Sequence, residues 1–357
     1  MPTYAGASTL AGPRPLRIGF LALTDAAPFV VAAELGHFAR CNLAVELRRE
    51  IGWATIREKI IYGELDAAQA PAPMLWSAQL GLGCAPTDVL TALVLNRHGN
   101  AITLSQALWA AGVRDAATLR THARARVARQ PLTFGVVFPF SSHHLLLRDW
   151  LRAAGLDPEK DVRIVVVPPA QMFRNLAAGT IDGCCVGEPW NSFAVREGAG
   201  WCPVWSAAQQ PRHLEKVLLV TRRFATACAA EHAALVAALA AACAWCDEPQ
   251  HREQLADLLA GARYLNVPAR VVAPALTGRF DCGHGRVETI PDFHVFHAGD
   301  ANRPVAAEAA ELQAALGAAA LLPAAAVADR QLPAALFRED LYRAALRQQP
   351  QHETAHS

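Results

Sequence analysis

At 357 residues, 53% of them hydrophobic, the chain exceeds the usual single-domain length and has the material for two cores. Its 33 lysines and arginines face 32 acidic residues, a formal net charge of +1, which excludes broad electrostatic adhesion to nucleic acid or anionic membrane. Only Lys59, Lys160 and Lys216 are lysines, a skew that reads as codon bias among solvated cations.

From the N-terminus, Met1 to Pro15 has no basic segment followed by a continuous apolar run, so a secretory, twin-arginine or lipoprotein signal is not expected. Leu16–Leu23 reads as a strand, Phe29–Phe38 as a helix with Gly36 near its end, and Ala44–Glu50 as a strand alternating Val45 and Leu47 with Glu46 and Arg48. Trp53–Tyr62 has helical period, with Ile56 and Ile60 on one face and Gly63 as its stop. Leu65–Ala68 is a short strand, Met74–Gly81 a helix and Val89–Leu95 a strand. After the polar stretch 114–129 a second series begins: strand Leu132–Phe138, helix His143–Ala154, strand Val162–Val167, helix Gln171–Ala178 and strand Ile181–Val186. Val217–Thr221 is a further strand, followed by helical segments to about Leu259 and again near 305–318 and 334–346. The Ala-rich stretch 225–245 contains Glu231 and His232 and reads as a buried helix, not a membrane span. The tail beyond 345 is polar and is expected to be disordered. Nine scattered cysteines fit a reducing compartment, and the expected location is the cytoplasm.

Two α/β series with the chain returning to the first predict an α/β protein of two lobes around a cleft. The expected bounds are 16–104 and 217–345 for the first lobe and 105–216 for the second, with 346–357 as the tail. Ligands of open parallel sheets sit beyond the C-terminal strand ends, where helices begin, so those junctions are searched for chemistry. At Gly52-Trp53-Ala54-Thr55, Trp53 is either an aromatic packed at a helix entrance or an N–H donor beside free backbone amides that favour an anion. Asn100, after Gly99, is either ordinary turn chemistry or a carboxamide donor where the chain passes between lobes. In Phe138-Pro139-Phe140-Ser141-Ser142-His143-His144, His143 sits in a first helical turn, as a capping residue or facing the cleft. Arg263 is either a solvated charge or the planar cation that sets the sign of the ligand.

Together these stretches resemble a family. Gly52-Trp53-Ala54-Thr55-Ile56-Arg57, Gly99-Asn100-Ala101-Ile102, Val167-Pro168-Pro169-Ala170-Gln171-Met172 and Asp182-Gly183-Cys184-Cys185-Val186-Gly187-Glu188-Pro189-Trp190-Asn191 are similar to the nitrate/bicarbonate-binding proteins of bacterial ABC importers, in the same order from about Leu16 to Phe296. The resemblance implies a type II periplasmic-binding fold with no catalytic residues and no cofactor. It implies an anion held by a Trp, a Gln or Asn, a His and a cation, roles that fall on Trp53, Asn100, His143 and Arg263. Thr55, Ser142, Gly187 and Glu188 would flank them. The family's nitrate binders have lysine at the position matched to Arg263, and its bicarbonate binder has glutamate there with calcium, so a cation implies nitrate or nitrite. With no export signal expected, the chain is similar to the cytoplasmic nitrate/nitrite sensor that holds an RNA-binding antiterminator. The alternative is the binding component of an importer, working with an ABC permease.

Other constellations are weaker. Cys243-Ala244-Trp245-Cys246 has redox or metal spacing but no second ligand pair, and on an Ala-rich helix it reads as core. Cys282, His284, His294 and His297 have no recognised ligand spacing, and no metal site is expected. A Walker A loop, a Gly-x-Ser-x-Gly elbow and a dinucleotide fingerprint are all absent. The related fold also hosts an enzyme making a thiamin pyrimidine precursor, but its cysteine-rich motif is missing here.

Overall fold

The apolar run Leu16–Leu21 forms a strand at the heart of a mixed sheet, in a computed structural model that describes residues 14–126 and 130–347. Val45–Glu50 pairs with it in parallel on one side and takes the sheet edge, which suits its alternating exposure. Ala67–Pro71, buried at every position, pairs in parallel on the other side. The sheet continues through Leu214–Thr221 and Val94–His98 to His294–Val295, with Val89–Leu90 also paired to Leu214–Thr221. The second sheet runs Gly200–Trp205, Asn100–Ser105, Gly183–Gly187, Leu132–Val136, Val162–Val166. Each sheet therefore receives one antiparallel strand directly after the chain crosses into it: Asn100–Ser105 in the second, Leu214–Thr221 in the first.

The crossings differ from the expected bounds. Asn100–Ser105, of which all but Ser105 was given to the first lobe by sequence, pairs in the second sheet, so the chain leaves the first lobe at Gly99. The return strand begins at Leu214, three residues before the expected Val217, and carries Glu215 and Lys216 into the sheet interior. The alternation rule missed both because the strand is buried on two faces, where period two disappears. The polar stretch after Arg114 contains the helix Ala116–Arg126, which turns Leu119 and Ala123 inward. The expected tail lies outside the described residues from 348 onward, and Leu346 and Arg347 close the helix Glu339–Arg347.

One apolar cluster runs from the first lobe, through Phe20, Phe29 and Trp53, onto Val137, Val186 and Trp190 of the second. Two hydrogen bonds bridge the lobes there: Thr24 N–H donates to the Glu188 carbonyl at 2.7 Å, and Trp190 Nε1 to the Ala22 carbonyl at 3.0 Å. The return segment is not confined to the first lobe as expected. Its hairpin, Arg279–Gly283 with Arg286–Thr289, buries Phe280 and Cys282 against Ala101 and Cys202 of the second. Helix Ala229–Asp247 is long and apolar enough to cross a membrane, but it packs against Ala27–Glu34 with Leu235, Val236 and Leu239 fully buried. Cys243 and Cys246 lie in that core as free thiols, and burial pushes both well up from the usual thiol range.

Candidate functional site

A charged cluster closed to solvent lies between the lobes. Asp25 follows the first strand, and Glu215 and Lys216 open the strand Leu214–Thr221. All three side chains are at most 1% exposed. Adjacent strand residues normally face opposite ways, but the pairing of this strand with Val94–His98 shifts register on both sides of Lys216. That irregularity lets both charged side chains turn toward the cleft. Lys216 Nζ lies 2.6 Å from Asp25 Oδ2 and 2.5 Å from Glu215 Oε1, and 5.4 Å from the centre of the Trp53 ring. Gln69, in the buried Ala67–Pro71 strand, donates to Asp25 Oδ1 at 2.5 Å while accepting the Leu21 N–H.

The second lobe meets this cluster through Glu215. Asn100 Nδ2 donates to Glu215 Oε2 at 2.6 Å, Ser142 Oγ donates to the same oxygen, and His213 Nε2 lies 3.3 Å from it. His143 Nε2 is 3.6 Å from Glu215 Oε1, too far for a hydrogen bond. Trp53 Nε1, both His143 ring nitrogens and Asn100 Oδ1 are buried with no hydrogen-bond partner among the described residues. Polar atoms left this way in a packed interior are costly, and here they are drawn from both lobes and face one cluster. Trp53 opens the helix Trp53–Ile61, and Ser142 and His143 open Ser142–Ala153, so two helix N-termini bring their positive dipole ends to the site.

Charge in the site is set by burial and by one cation. Burial drives His143 down to about 3, so its ring is neutral at physiological pH and supplies one N–H donor without charge. Burial raises Asp25 above the usual carboxylate range; Lys216 opposes this and Glu215 adds to it. Glu215 is also pushed up by burial, but the Lys216 ammonium, helped by the hydrogen bond with His213, outweighs that and holds it well below the ordinary value. Desolvation works against Lys216, and the two carboxylates more than restore its proton. Glu188, buried and hydrogen-bonded mainly through the Ser192 N–H, is raised to about 7 by burial. Among the described residues no three His, Cys, Asp or Glu side chains are grouped to hold a metal ion.

Of the residues singled out from sequence, Trp53, Asn100, His143 and Ser142 converge here. Gly187 does too: a Cβ on it would stand 3.4 Å from Asn100 Oδ1 and 3.6 Å from Asp25 Oδ2. Glu188 is buried next in chain, beside the Thr24 bridge. Thr55 is half-buried in the first turn of Trp53–Ile61, two residues beyond Trp53. Arg263 is not in the site. Its side chain is 82% exposed, 3.9 Å from Glu34, because it sits in the loop after helix Arg252–Ala260 on the outer surface. The cation that meets the site is Lys216, and a carboxylate stands beside it. Asp25, Gln69, Glu215 and Lys216 escaped sequence reading, though three of them carried a signal. Asp25 lies at the first strand-to-helix junction, Gln69 interrupts an apolar strand, and Lys216 is one of three lysines in a chain of arginines.

Two lobes around a buried, partly unsatisfied polar site are the architecture of solute-binding proteins of the type II periplasmic-binding fold. Residues 10–260 match the NMT1-like family, and the chain belongs to it. It is 40% identical over 296 residues to the nitrate import ATP-binding protein NrtC of Synechocystis sp., covering 82% of this chain and 44% of that protein. It is 43% identical over 253 residues to the bicarbonate transport ATP-binding protein CmpC of Synechocystis sp., covering 70% of this chain and 38% of that protein. The chain thus spans less than half the length of these relatives. The crystal structure of the periplasmic nitrate-binding protein NrtA from Synechocystis PCC 6803 superposes with a TM-score of 0.88 at 27% identity, over 93% of this chain and 88% of that one.

Proposed function

We propose that this protein binds nitrate or nitrite between its lobes and serves as a cytoplasmic sensor that controls an RNA-binding antiterminator. The observation that carries the ligand is a buried cation, Lys216, in the same interlobe cluster as polar atoms that have no hydrogen-bond partner among the described residues, Trp53 Nε1 and the His143 ring nitrogens. A small planar oxyanion satisfies such donors and shares a cation that Asp25 and Glu215 already flank. Its relatives NrtC and NrtA, named for nitrate, support the reading. Contacts from both lobes make the ligand favour one lobe arrangement, which is the requirement for a signal, since equal affinity shifts nothing. A partner that recognises the ligand-free arrangement is then released. The same closure could instead deliver the anion to an ABC permease.

Bicarbonate is the second reading, favoured by Glu215: its carboxylate accepts a hydrogen bond, which bicarbonate can donate and nitrate cannot. Calorimetry of the purified chain with nitrate, nitrite and bicarbonate separates them. Heat of binding with nitrate or nitrite at micromolar concentrations is expected; saturation by bicarbonate alone overturns the first reading. For the output, capture from cell extract should recover an RNA-binding regulator only without nitrate. Recovery of a membrane permease instead, or of the native protein wholly outside the cytoplasm, ends the sensor reading.

A further inference from the structure

Glu215 holds the place of an anion within the protein's own site. Both of its oxygens are occupied by groups suited to an oxyanion: Oε1 by Lys216 Nζ at 2.5 Å, Oε2 by Asn100 Nδ2 at 2.6 Å and by Ser142 Oγ. A carboxylate is a planar O–C–O group, the same shape that nitrite and the face of nitrate present. Lys216 is already paired with two carboxylates, Asp25 and Glu215. A further anion beside both would place three negative charges around one ammonium in a site that excludes water, where like charges repel strongly. The donors also come from the two lobes: Glu215 and Lys216 belong to the first sheet, Asn100 to the second, and Ser142 to the helix after its strand Leu132–Val136. Glu215 therefore ties the lobes together through contacts that an anionic ligand would otherwise make.

We propose that Glu215 is a built-in competitor: it occupies the anion position across the cleft when the site is empty, and the ligand binds by displacing it from Lys216, Asn100 and Ser142. The consequence is a protein whose affinity is deliberately blunted, so that it responds to a high ligand concentration. The displaced carboxylate, freed from the second lobe, is the local change by which occupancy is read. Selectivity follows as well, because only a ligand that satisfies the cation better than a covalently tethered carboxylate gains entry. This inference rests on the oxyanion reading for its ligand but not for the tie itself.

Glu215→Gln keeps the side-chain shape and removes its charge. Calorimetry with sodium nitrate and sodium nitrite, with sodium chloride as control, should show at least tenfold tighter binding to the variant than to the parent. Small-angle scattering of the ligand-free proteins should show Glu215→Gln more expanded than the parent, returning to the parent's radius of gyration with nitrate. Ser142→Ala leaves every charge in place and removes one donor from the second lobe. It should expand the empty protein less, and a native circular-dichroism spectrum separates this from misfolding. Equal or weaker nitrate binding by Glu215→Gln overturns the competition. An empty variant as compact as the parent overturns the tie between lobes. If neither protein binds any of the anions, the oxyanion reading fails, and scattering alone still decides whether Glu215 holds the lobes together.

Discussion

Trp53 and Arg263 look alike as sequence candidates and differ entirely in setting. Trp53 is 1% exposed, with Lys216 Nζ 5.4 Å from its ring centre and no acceptor for its indole N–H among the described residues. Arg263 has a solvated guanidinium whose charge is screened before it reaches the site. Trp53→Phe retains the packing and removes the donor, so nitrate binding should weaken by about ten- to a hundredfold, the cost of leaving one hydrogen bond to a charged group unmade. Arg263→Glu should bind nitrate as the parent does; calorimetry on both variants checks the pair, and a reversed order returns the cation role to Arg263. Glu188 makes a separate prediction. Its buried carboxyl holds a proton up to about 7, whereas in the unfolded chain it ionises near the ordinary glutamate value. Its contribution is fully present below that ordinary value, declines as pH rises, and is lost above about 7, a penalty of about 3 kcal/mol. Glu188→Gln should accordingly raise stability against urea by up to about 3 kcal/mol at pH 8 and by less than about 1 kcal/mol at pH 5. An equal effect at both pH values would show that Glu188 is not the buried acid described. At this scale, the strand-to-helix rule picked out Trp53 and His143, and the turn at Gly99 picked out Asn100, all of which lie in the candidate site. What stayed hidden was polar residues within strands: Gln69, Glu215 and Lys216 are site residues only because neighbouring strands bury them, and no local spacing reports that.

The elements most easily read were those with one buried face, such as Trp53–Ile61 with Ile56 and Ile60 inward. Among the elements missed or cut short were the two that follow the crossings, Asn100–Ser105 and Leu214–Thr221, and their pairing is long-range. Asn100–Ser105 is a strand because Gly183–Gly187 lies alongside it, eighty residues later. The crossings themselves are two adjacent segments stitched together. His98 Nε2 accepts the Arg212 N–H at 2.7 Å, His98 Nδ1 meets the Asp292 carbonyl at 2.8 Å, and Arg97 donates to the Arg212 carbonyl at 2.6 Å. Gly99 sits between His98 and Asn100 with φ of +96°, and a Cβ there would lie 2.4 Å from His294 Cε1. Both the backbone conformation and the space demand glycine. Gly99→Ala should cost about 2 kcal/mol or more, read as a lowered urea midpoint at unchanged slope. It should also weaken nitrate binding, because Asn100 is the next residue and moves with the turn. A variant as stable as the parent would mean that this crossing is free to rearrange.

Taken whole, the molecule has two sheets but no clean separation between two cores. The first apolar cluster reaches from Phe29 of the first lobe to Val186 and Trp190 of the second, and the hairpin of the return segment is buried against the second sheet. Two lobes joined only by a hinge would melt independently; lobes that share buried surface should melt together. Heating in a calorimeter should therefore give one transition, not two. A ligand held by Trp53 on one side and His143 on the other stabilises the assembly by mass action, about 2.7 kcal/mol when its concentration is a hundred times the dissociation constant. For a chain of 357 residues that raises the midpoint by a few degrees, with the single transition intact. Trp190→Ala, which removes the ring and its bridge to the Ala22 carbonyl, should split the transition, the second lobe melting first on its smaller core. Nitrate should then draw the two transitions together, since only an anion touching both lobes couples them. If nitrate shifts one transition and leaves the other where it was, the ligand sits within a single lobe and the cleft described here is not its site.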